Sequence, residues 1–513
     1  MKAISSTTCS TIFALASGAL PSGVAIIRIS GPRASYAVNA LTAQTALPAP
    51  RTLSLRTLVD PITQRTLDRA MVAWFPSPYS YTGEEVAEMH VHGGRAVVAG
   101  VLKALGELPS TRLAERGEFS RRAFEEGKLD LLQVEAVADI IAADTDSQLQ
   151  QALQQAGGVV SKKYDSWRQQ IVRMLAHVEA SIDFGDDEDD VDEHEISNGL
   201  LLDVRTLRKQ VAAVLSDRRG ESIRDGVRVA IIGPPNAGKS TLLNVLAARD
   251  AAIVSDVPGT TRDVVEVRVN LGGYNVLLSD TAGIHQDTED VLEHLGMARA
   301  AKAAHEADLV LCMFDAGTWK EDVLDIDLML SSPIGGDNDD DKLQRHTRTL
   351  TMVAANKMDL ILHSDQQSYD LDSPSIQHSD LPTYLRQCVN VEDVHCISCH
   401  HNEGIDKLVA SLEKNLRLHF EYRSGNGNDQ ELNQDDALVN EPSFITRERH
   451  RQHLSACQEM LDSATLHLEN GVGTLELAAE DLRLAAVCIG RIGGKIDPEE
   501  ILDKIFLEFC IGK

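Results

Sequence analysis

Four short stretches in the middle of this 513-residue chain carry the residue types that handle phosphates and a purine base. The first is VRVAIIGPPNAGKST, residues 227–241. Its apolar run Val229–Ile232 is the right length for one buried strand, and Leu242–Ala248 favours a helix. Between them lies Gly233-x-x-x-x-Gly238-Lys239-Ser240. Strand, glycine-rich loop and helix form a phosphate cradle. The glycines let backbone N–H groups approach the oxygens, and the helix N-terminus adds positive potential. Asn236, Ala237, Gly238 and Thr241 belong to that loop and its helix start. Lys239 is spaced to reach the β- and γ-phosphates, and the Ser240 hydroxyl to hold Mg²⁺.

Three further motifs follow in the order a GTPase requires. Pro258-Gly259-Thr260-Thr261-Arg262-Asp263 is a threonine-bearing switch whose Thr261 can complete the Mg²⁺ shell. The strand-like Val276–Ser279 leads to Asp280-Thr281-Ala282-Gly283, where Asp280 can hold Mg²⁺ through water and the Gly283 N–H can meet the γ-phosphate. Asn356-Lys357-Met358-Asp359 follows the apolar Leu350–Ala354. The Asp359 carboxylate can accept from guanine N1–H and the 2-amino group. Adenine offers neither donor, which penalises it by about 10⁴. Ser398 and Cys399, after a strand-like Val394–Ile397, can meet the base from its other side. Each motif alone is weak, but in this order on strand ends they point to GTP.

Ile284 stands where Ras-like proteins place a water-orienting Gln, and no arginine finger is assignable. Glu289, Asp290 and Glu293 are the candidate carboxylates for orienting water, and Asn236 can help hold a monovalent cation against the phosphates. Cys396-x-x-Cys399-His400-His401 imitates a haem or zinc signature. It sits where a guanine-contacting loop belongs and lacks a second ligand pair at zinc spacing, so no metal is expected there.

The chain is long enough for about two to four domains. A formal net charge of −29 argues against a protein that simply coats nucleic acid, so any RNA contact needs a local basic patch or a partner. Eight scattered cysteines suit a reducing compartment, and no apolar run is long enough to span a bilayer. No acidic residue precedes Asp60, a faint transit-peptide trait, yet Ile12–Leu20 already reads as folded sequence.

Before the nucleotide motifs, Val24–Ser30 reads as a strand with Arg28 inside it and Met71–Phe75 as another. Glu88, His90 and His92 share one strand face, which suits a polar pocket wall better than a metal site. Asp130 is placed to cap the helix that follows it. Apolar residues from Leu149 through Trp167 to Ile182 recur at helical spacing and predict one long helix over 147–182. The acidic run Asp183–Glu193 reads as a solvated loop without a metal. A further helix is expected over Leu200–Arg218, and others near Ile445–Leu468, Leu475–Cys488 and from Asp497 on. The phosphate-binding segment is thus inserted into a helical domain made of two pieces. Trp319–His346 and Leu362–Cys388 look like polar surface insertions.

The chain resembles the MnmE (TrmE) family of tRNA-modifying GTPases. The likeness is carried by GPPNAGKS, PGTTRD, DTAG and NKMD, by IIRISGP, YTGEEVAEMHVHGG and GEFSRRAFEEGKLDL, and by the terminal Cys510-Ile511-Gly512-Lys513. It runs from about Ser10 to Lys513 and is strongest for the mitochondrial members, which share the Trp74-Phe-Pro stretch.

This resemblance implies an α/β multidomain fold. An α+β folate-binding and dimerisation domain (1–130) precedes a helical domain in two parts (131–221 and 419–513), with a Ras-like P-loop GTPase domain (222–418) inserted. It implies a homodimer, Arg28, Glu88, Lys128 and Lys513 as ligands of a tetrahydrofolate derivative, and Cys510 beside them in a catalytic or structural role. It implies K⁺ activation with Asn236, Ser255, Val257 and Thr260 around the ion, and Glu293 as catalytic glutamate, one residue further from Gly283 than the family places it. With an FAD-containing MnmG-type partner, such a protein modifies C5 of the wobble uridine of certain tRNAs. A mitochondrial matrix location follows, or the cytoplasm for a bacterial source. The sequence leaves open an Era-type ribosome-assembly switch, although no added KH-type RNA-binding module is visible.

Overall fold

The computed structural model describes residues 10–44, 46–184, 193–249, 265–280, 303–304, 307–320, 323–324, 326, 350–362, 378, 381–422, 443–470, 472–496, 505, 509 and 512. They form two compact units, one of Met1–Ile141, Ala152–Val211 and Gln452–Lys513, the other of Ala142–Gln151 and Ala212–Arg451.

The first unit opens with a six-stranded sheet. Its strands are β1 (Thr11–Leu15), β2 (Ser22–Ser30), β3 (Ser54–Val59), β4 (Thr66–Phe75), β5 (Val86–Gly93) and β6 (Thr111–Leu113), in the order β3-β4-β5-β2-β1-β6. Alternation along β2 decides what each face does. Ala25, Ile27 and Ile29 are fully buried in a core with Val38 and Leu41 of α1 (Ala34–Thr42) and Val98, Val101 and Leu105 of α2 (Arg95–Gly106). The other face carries Arg28, which lies opposite Glu88, while Ile26 lies opposite His90. Ile12, Ala14 and Phe119 of α3 (Glu118–Glu125) pack together on that side. Toward β3 the same face stays open, with Leu55 52% and Val24 57% exposed.

Asp130 caps α4 (Leu131–Ala142): Gln133 N–H donates to Asp130 Oδ1 at 2.9 Å, and Asp130 N–H returns to Gln133 Oε1 at 3.1 Å. The single helix expected over 147–182 is two, α5 (Asp146–Ala156) and α6 (Val159–Phe184). The break falls at Gly157-Gly158, where Gly158 has φ +76°, and the buried face changes with it. Leu153 is 47% exposed while Ala152 and Gln155 are buried. In α6 the buried positions Val160, Tyr164, Trp167, Ile171, Met174 and Val178 alternate steps of four and three, a seam suited to a neighbouring helix. The next helix, α7 (Glu193–Ser216), begins earlier than expected, and the short α8 (Arg219–Asp225) leads into the second sheet.

That sheet comprises β7 (Val227–Ile232), β8 (Val265–Leu271), β9 (Tyr274–Asp280), β10 (Leu309–Asp315), β11 (Leu350–Asn356) and β12 (Val389–Cys396), ordered β12-β11-β10-β7-β9-β8. All its pairs are parallel except β8 with β9. The strand β7 lies between β10 and β9, where chain order reverses, so the loop after it opens at a topological switch point. Around the sheet stand α9 (Lys239–Arg249), α10 (Met358–Leu362), α11 (Thr383–Cys388) and α12 (Ile405–Tyr422). The two segments read as surface insertions contribute to the core at their ends. Val323 and Ile326, and Leu381 and Leu385 before and within α11, are buried against the sheet. Between these ends most of both segments lies outside the described residues.

The chain returns to the first unit along α13 (Glu448–Glu469), whose first turn still belongs to the second, and α14 (Leu475–Ile492) packs along α6. Ile505 and Phe509 are buried against Leu131 and Val134 of α4.

Candidate functional site

A cleft of about 870 Å³ opens at the switch point, lined by residues 235–236 and 238–241 of the first loop and α9, by Asn356, Lys357 and Asp359, and by Cys399, His400 and His401. The loop is fixed from below. Asn356, 3% exposed at the end of β11, donates from Nδ2 to the Ala237 carbonyl at 2.8 Å and accepts at Oδ1 from the Cys399 N–H at 3.1 Å. One side chain thus ties together the phosphate loop and the two loops expected to read a base. The fit requires glycine at 238, where φ is +98° and a Cβ would lie 2.2 Å from Asn356 Nδ2. The Lys239 ammonium donates to the Gly233 and Pro234 carbonyls at 2.8 and 2.7 Å, which holds its charge at the mouth of the loop. Ser240 and Thr241 are exposed at the start of α9, and Asn236 adopts φ +64°.

At the far end, the Ser398 hydroxyl donates to Asp359 Oδ1 at 2.7 Å. That bond, ahead of every other influence, holds the Asp359 carboxyl below its usual range and keeps it an acceptor. Lys357 is drawn to Asp315 at 2.9 Å. Cys399 is 7% exposed, and burial, followed by the charge of Asp359, pushes its thiol up to about 11. It is a neutral core thiol that contributes backbone to the cleft.

A second constellation lies in the first sheet. Arg28 Nη2 stands 3.0 Å from Glu88 Oε1, with the guanidinium carbon 5.2 Å from the Tyr81 ring centroid and 5.8 Å from that of Phe119. His90 Nε2 is 3.5 Å from Glu88 Oε2. His92 turns to Asp68 instead, at 2.8 Å, so the three side chains of that strand face do not form one ligand set. Lys128 is exposed, with its stem over Gly83. The residues flanking Gly83 are bound to Ser30, since Ser30 Oγ lies 2.7 Å from Thr82 Oγ1 and 2.7 Å from Glu84 Oε2. Behind them, Arg122 bridges Glu84 and Glu118 at 3.0 and 2.9 Å.

The structure therefore brings together Asn236, Ala237, Gly238, Lys239, Ser240, Thr241, Asn356, Lys357, Asp359, Ser398 and Cys399, and separately Arg28 with Glu88. Asp280 ends β9 opposite Ile231. Ser255, Val257, Thr260, Thr261, Thr281, Ala282, Gly283, Glu293, Cys510 and Lys513 lie outside the described residues, and with them the expected switch, most of the expected K⁺ ligands and the expected catalytic glutamate. Sequence reading missed the Asn356 clamp, the Lys357–Asp315 pair, the rings around Arg28 and the Arg122 network. Only the charges on the otherwise amphipathic α3 hinted at the last.

A glycine-rich loop at the switch point of a mostly parallel sheet, faced by an Asn-Lys-x-Asp loop, defines a P-loop GTPase. Comparison with known proteins narrows the class. The profile described as "GTP-binding protein TrmE N-terminus" matches residues 11–128, and that described as "MnmE helical domain" matches residues 131–510. The mitochondrial 5-taurinomethyluridine-[tRNA] synthase subunit GTPB3 of Danio rerio is 42% identical over 508 residues, spanning 98% of this chain and 93% of its own. The tRNA modification GTPase MnmE of Parvibaculum lavamentivorans is 42% identical over 504 residues, spanning 98% of this chain and 100% of its own. The Homo sapiens GTPB3 is 42% identical over 509 residues, with coverage of 98% and 93%. The chain belongs to the MnmE (TrmE) family.

Proposed function

We propose that this protein is a K⁺-activated GTPase that, with an FAD-containing MnmG-type partner, installs an aminomethyl-type group at C5 of the wobble uridine of certain tRNAs, using a one-carbon unit from a tetrahydrofolate derivative. The observation that carries this reading is end-to-end similarity to proteins named as tRNA modification GTPases and as a taurinomethyluridine synthase subunit. The domain division 1–130, 131–221, 222–418 and 419–513 belongs to the same reading.

In the cleft, Lys239 and the loop of Asn236, Ala237 and Gly238 take the phosphates, with Thr241 behind them. Ser240 and Thr261 would hold Mg²⁺, which would supply positive charge to offset that of the phosphates. Asp280, Thr281, Ala282 and Gly283 follow the γ-phosphate, and Glu293 orients water. Asn236, Ser255, Val257 and Thr260 would hold K⁺, which would supply the positive charge that an arginine finger otherwise gives. Asp359, held by Ser398, reads guanine, while Asn356, Lys357 and Cys399 shape its walls. The geometry that supports this is the Ser398–Asp359 hydrogen bond and the Asn356 clamp.

In the first sheet, Arg28 and Lys128 suit the carboxylates of a folate and Glu88 the donors of its pterin. Lys513 and Cys510 are assigned to the same site in this reading. The open sheet face bearing Leu55 and Val24 suits the homodimer contact of the N-terminal domain. The relatives from Danio rerio and Homo sapiens are described as mitochondrial, which favours the matrix, and bacterial relatives favour the cytoplasm for a bacterial source.

Reconstitution tests the whole. Purified chain, MnmG-type partner, unmodified tRNA, GTP, K⁺, a reduced folate and an amine should together yield modified uridine. Omission of GTP or folate should abolish it, and product formed without either would refute the reading.

A further inference from the structure

The stretch Cys396-x-x-Cys399-His400-His401 resembles a metal motif, but the fold splits it. Cys399 turns into the core, and its thiol is too buried to ionise readily. The two histidines turn the other way, exposed at the mouth of the cleft. Their rings stand edge to face with centroids 4.8 Å apart. They occupy the tip of a tight turn closed by paired hydrogen bonds, Ser398 N–H to Glu403 O at 2.9 Å and Glu403 N–H to Ser398 O at 3.1 Å. Facing them is Asp359.

We propose that Asp359, His400 and His401 form a site for a divalent transition-metal ion of the zinc type, and that this ion and a guanine base exclude one another. One donor atom from each of the three side chains lies within 4.8 Å of the other two, the group with metal-ligand chemistry found among the described residues. Two imidazoles and a carboxylate are a borderline donor set that suits Zn²⁺ or Co²⁺ and leaves a coordination position for water. Ligand atoms around tetrahedral zinc stand about 3.3 Å apart, given bond lengths of about 2.0–2.1 Å. Both imidazoles are exposed and so have room to rotate toward that spacing. Ser398 engages Asp359 through one hydrogen bond, so lone pairs remain on the carboxylate. Those same lone pairs would accept from guanine, which is why the two ligands compete. The exclusion rests on Asp359 being the guanine reader as proposed above, whereas the metal site itself does not.

Cobalt(II) titrated into the full-length, nucleotide-free protein tests this. Guanosine is the competitor, because GTP would chelate the metal through its phosphates. The expected result is a saturable site without a thiolate-to-cobalt charge-transfer band, lost in the double variant His400→Gln/His401→Gln. Guanosine at about ten times its own Kd should raise the apparent cobalt Kd about elevenfold, and adenosine should leave it unchanged. Binding that survives the double variant, shows a thiolate band or does not occur overturns the site. Binding lost in the variant but indifferent to guanosine overturns the exclusion. Guanosine affinity of Asp359→Asn then separates the causes. If it falls, the guanine assignment stands and only competition fails; if it is unchanged, that assignment fails as well.

Discussion

Gly512 abuts the Leu15 carbonyl: a Cβ built on it would lie 2.1 Å from that oxygen and 2.9 Å from the Ala16 Cα. The penultimate residue therefore lies at the end of β1, and the neighbouring β1 residue Ala14 lies opposite Arg28 on β2. With φ at +106°, Gly512 has both a backbone shape and a clearance that other residues lack. Gly512→Ala should weaken that contact by about 1–3 kcal/mol. Affinity for 5-formyltetrahydrofolate should fall, as it should in Arg28→Ala, with GTP turnover retained in both. Calorimetry beside a GTPase assay checks this, and unchanged folate affinity in both variants would detach the two ends of the chain from any folate site.

The Asp359 end of the cleft makes a second prediction. If Asp359 reads guanine as proposed, Asp359→Asn removes the acceptor for N1–H and the 2-amino group. GTP affinity should drop about a hundredfold or more, since hydrogen bonds to charged groups are worth about 1.5–3 kcal/mol each. Xanthine nucleotides should gain, because the amide can donate where the carboxylate only accepted. Equal GTP affinity in variant and wild type would rule out the assignment.

A third prediction concerns the cation. Arginine fingers are worth about 10³–10⁵ in rate. If K⁺ takes that place, hydrolysis should run at least about tenfold faster in K⁺ than in Na⁺, and Asn236→Ala should remove the difference. Equal rates in the two salts would sink this mechanism.

The fourth concerns stability and pH. Burial opposes ionisation of Glu118, but hydrogen bonds from Arg112, the Glu115 N–H and Arg122 outweigh it and hold its carboxyl below the ordinary 4.5. Because the folded value is the lower one, this ionisation adds stability that is fully present above about pH 4.5 and is lost as pH falls through the folded value. Glu118→Gln should cost about 3 kcal/mol at neutral pH, since it leaves part of the 4%-exposed Arg122 uncompensated. It should also flatten the acid limb. Urea melts across pH would show it, and wild-type stability in the variant would mean the network is held by Glu84 alone.

What was legible in the sequence follows from locality. The phosphate loop, Asp359 and Ser398 were readable because strand, loop and helix are contiguous and their chemistry is set by spacing. The Arg28–Glu88 contact joins residues 60 apart, and strand period gives the face of each but not the register that puts them opposite. Asn356 was readable as part of a motif, but its grip on Ala237 crosses from one loop to another and has no local signature. Helical spacing carried the expected long helix across Gly157-Gly158, although two adjacent glycines are a warning that the buried face can shift. The two histidines at the cleft mouth were hidden inside a cysteine motif whose thiol half is core.

The proposed function is tested most directly by mass spectrometry of wobble nucleosides in tRNA from cells with and without this protein. The aminomethyl-type C5 modification should disappear in its absence, return with the wild-type chain, and not return with Asp359→Asn or with a chain lacking Gly512 and Lys513. Unchanged wobble nucleosides in cells lacking the protein, with a defect in ribosome assembly in their place, would contradict it.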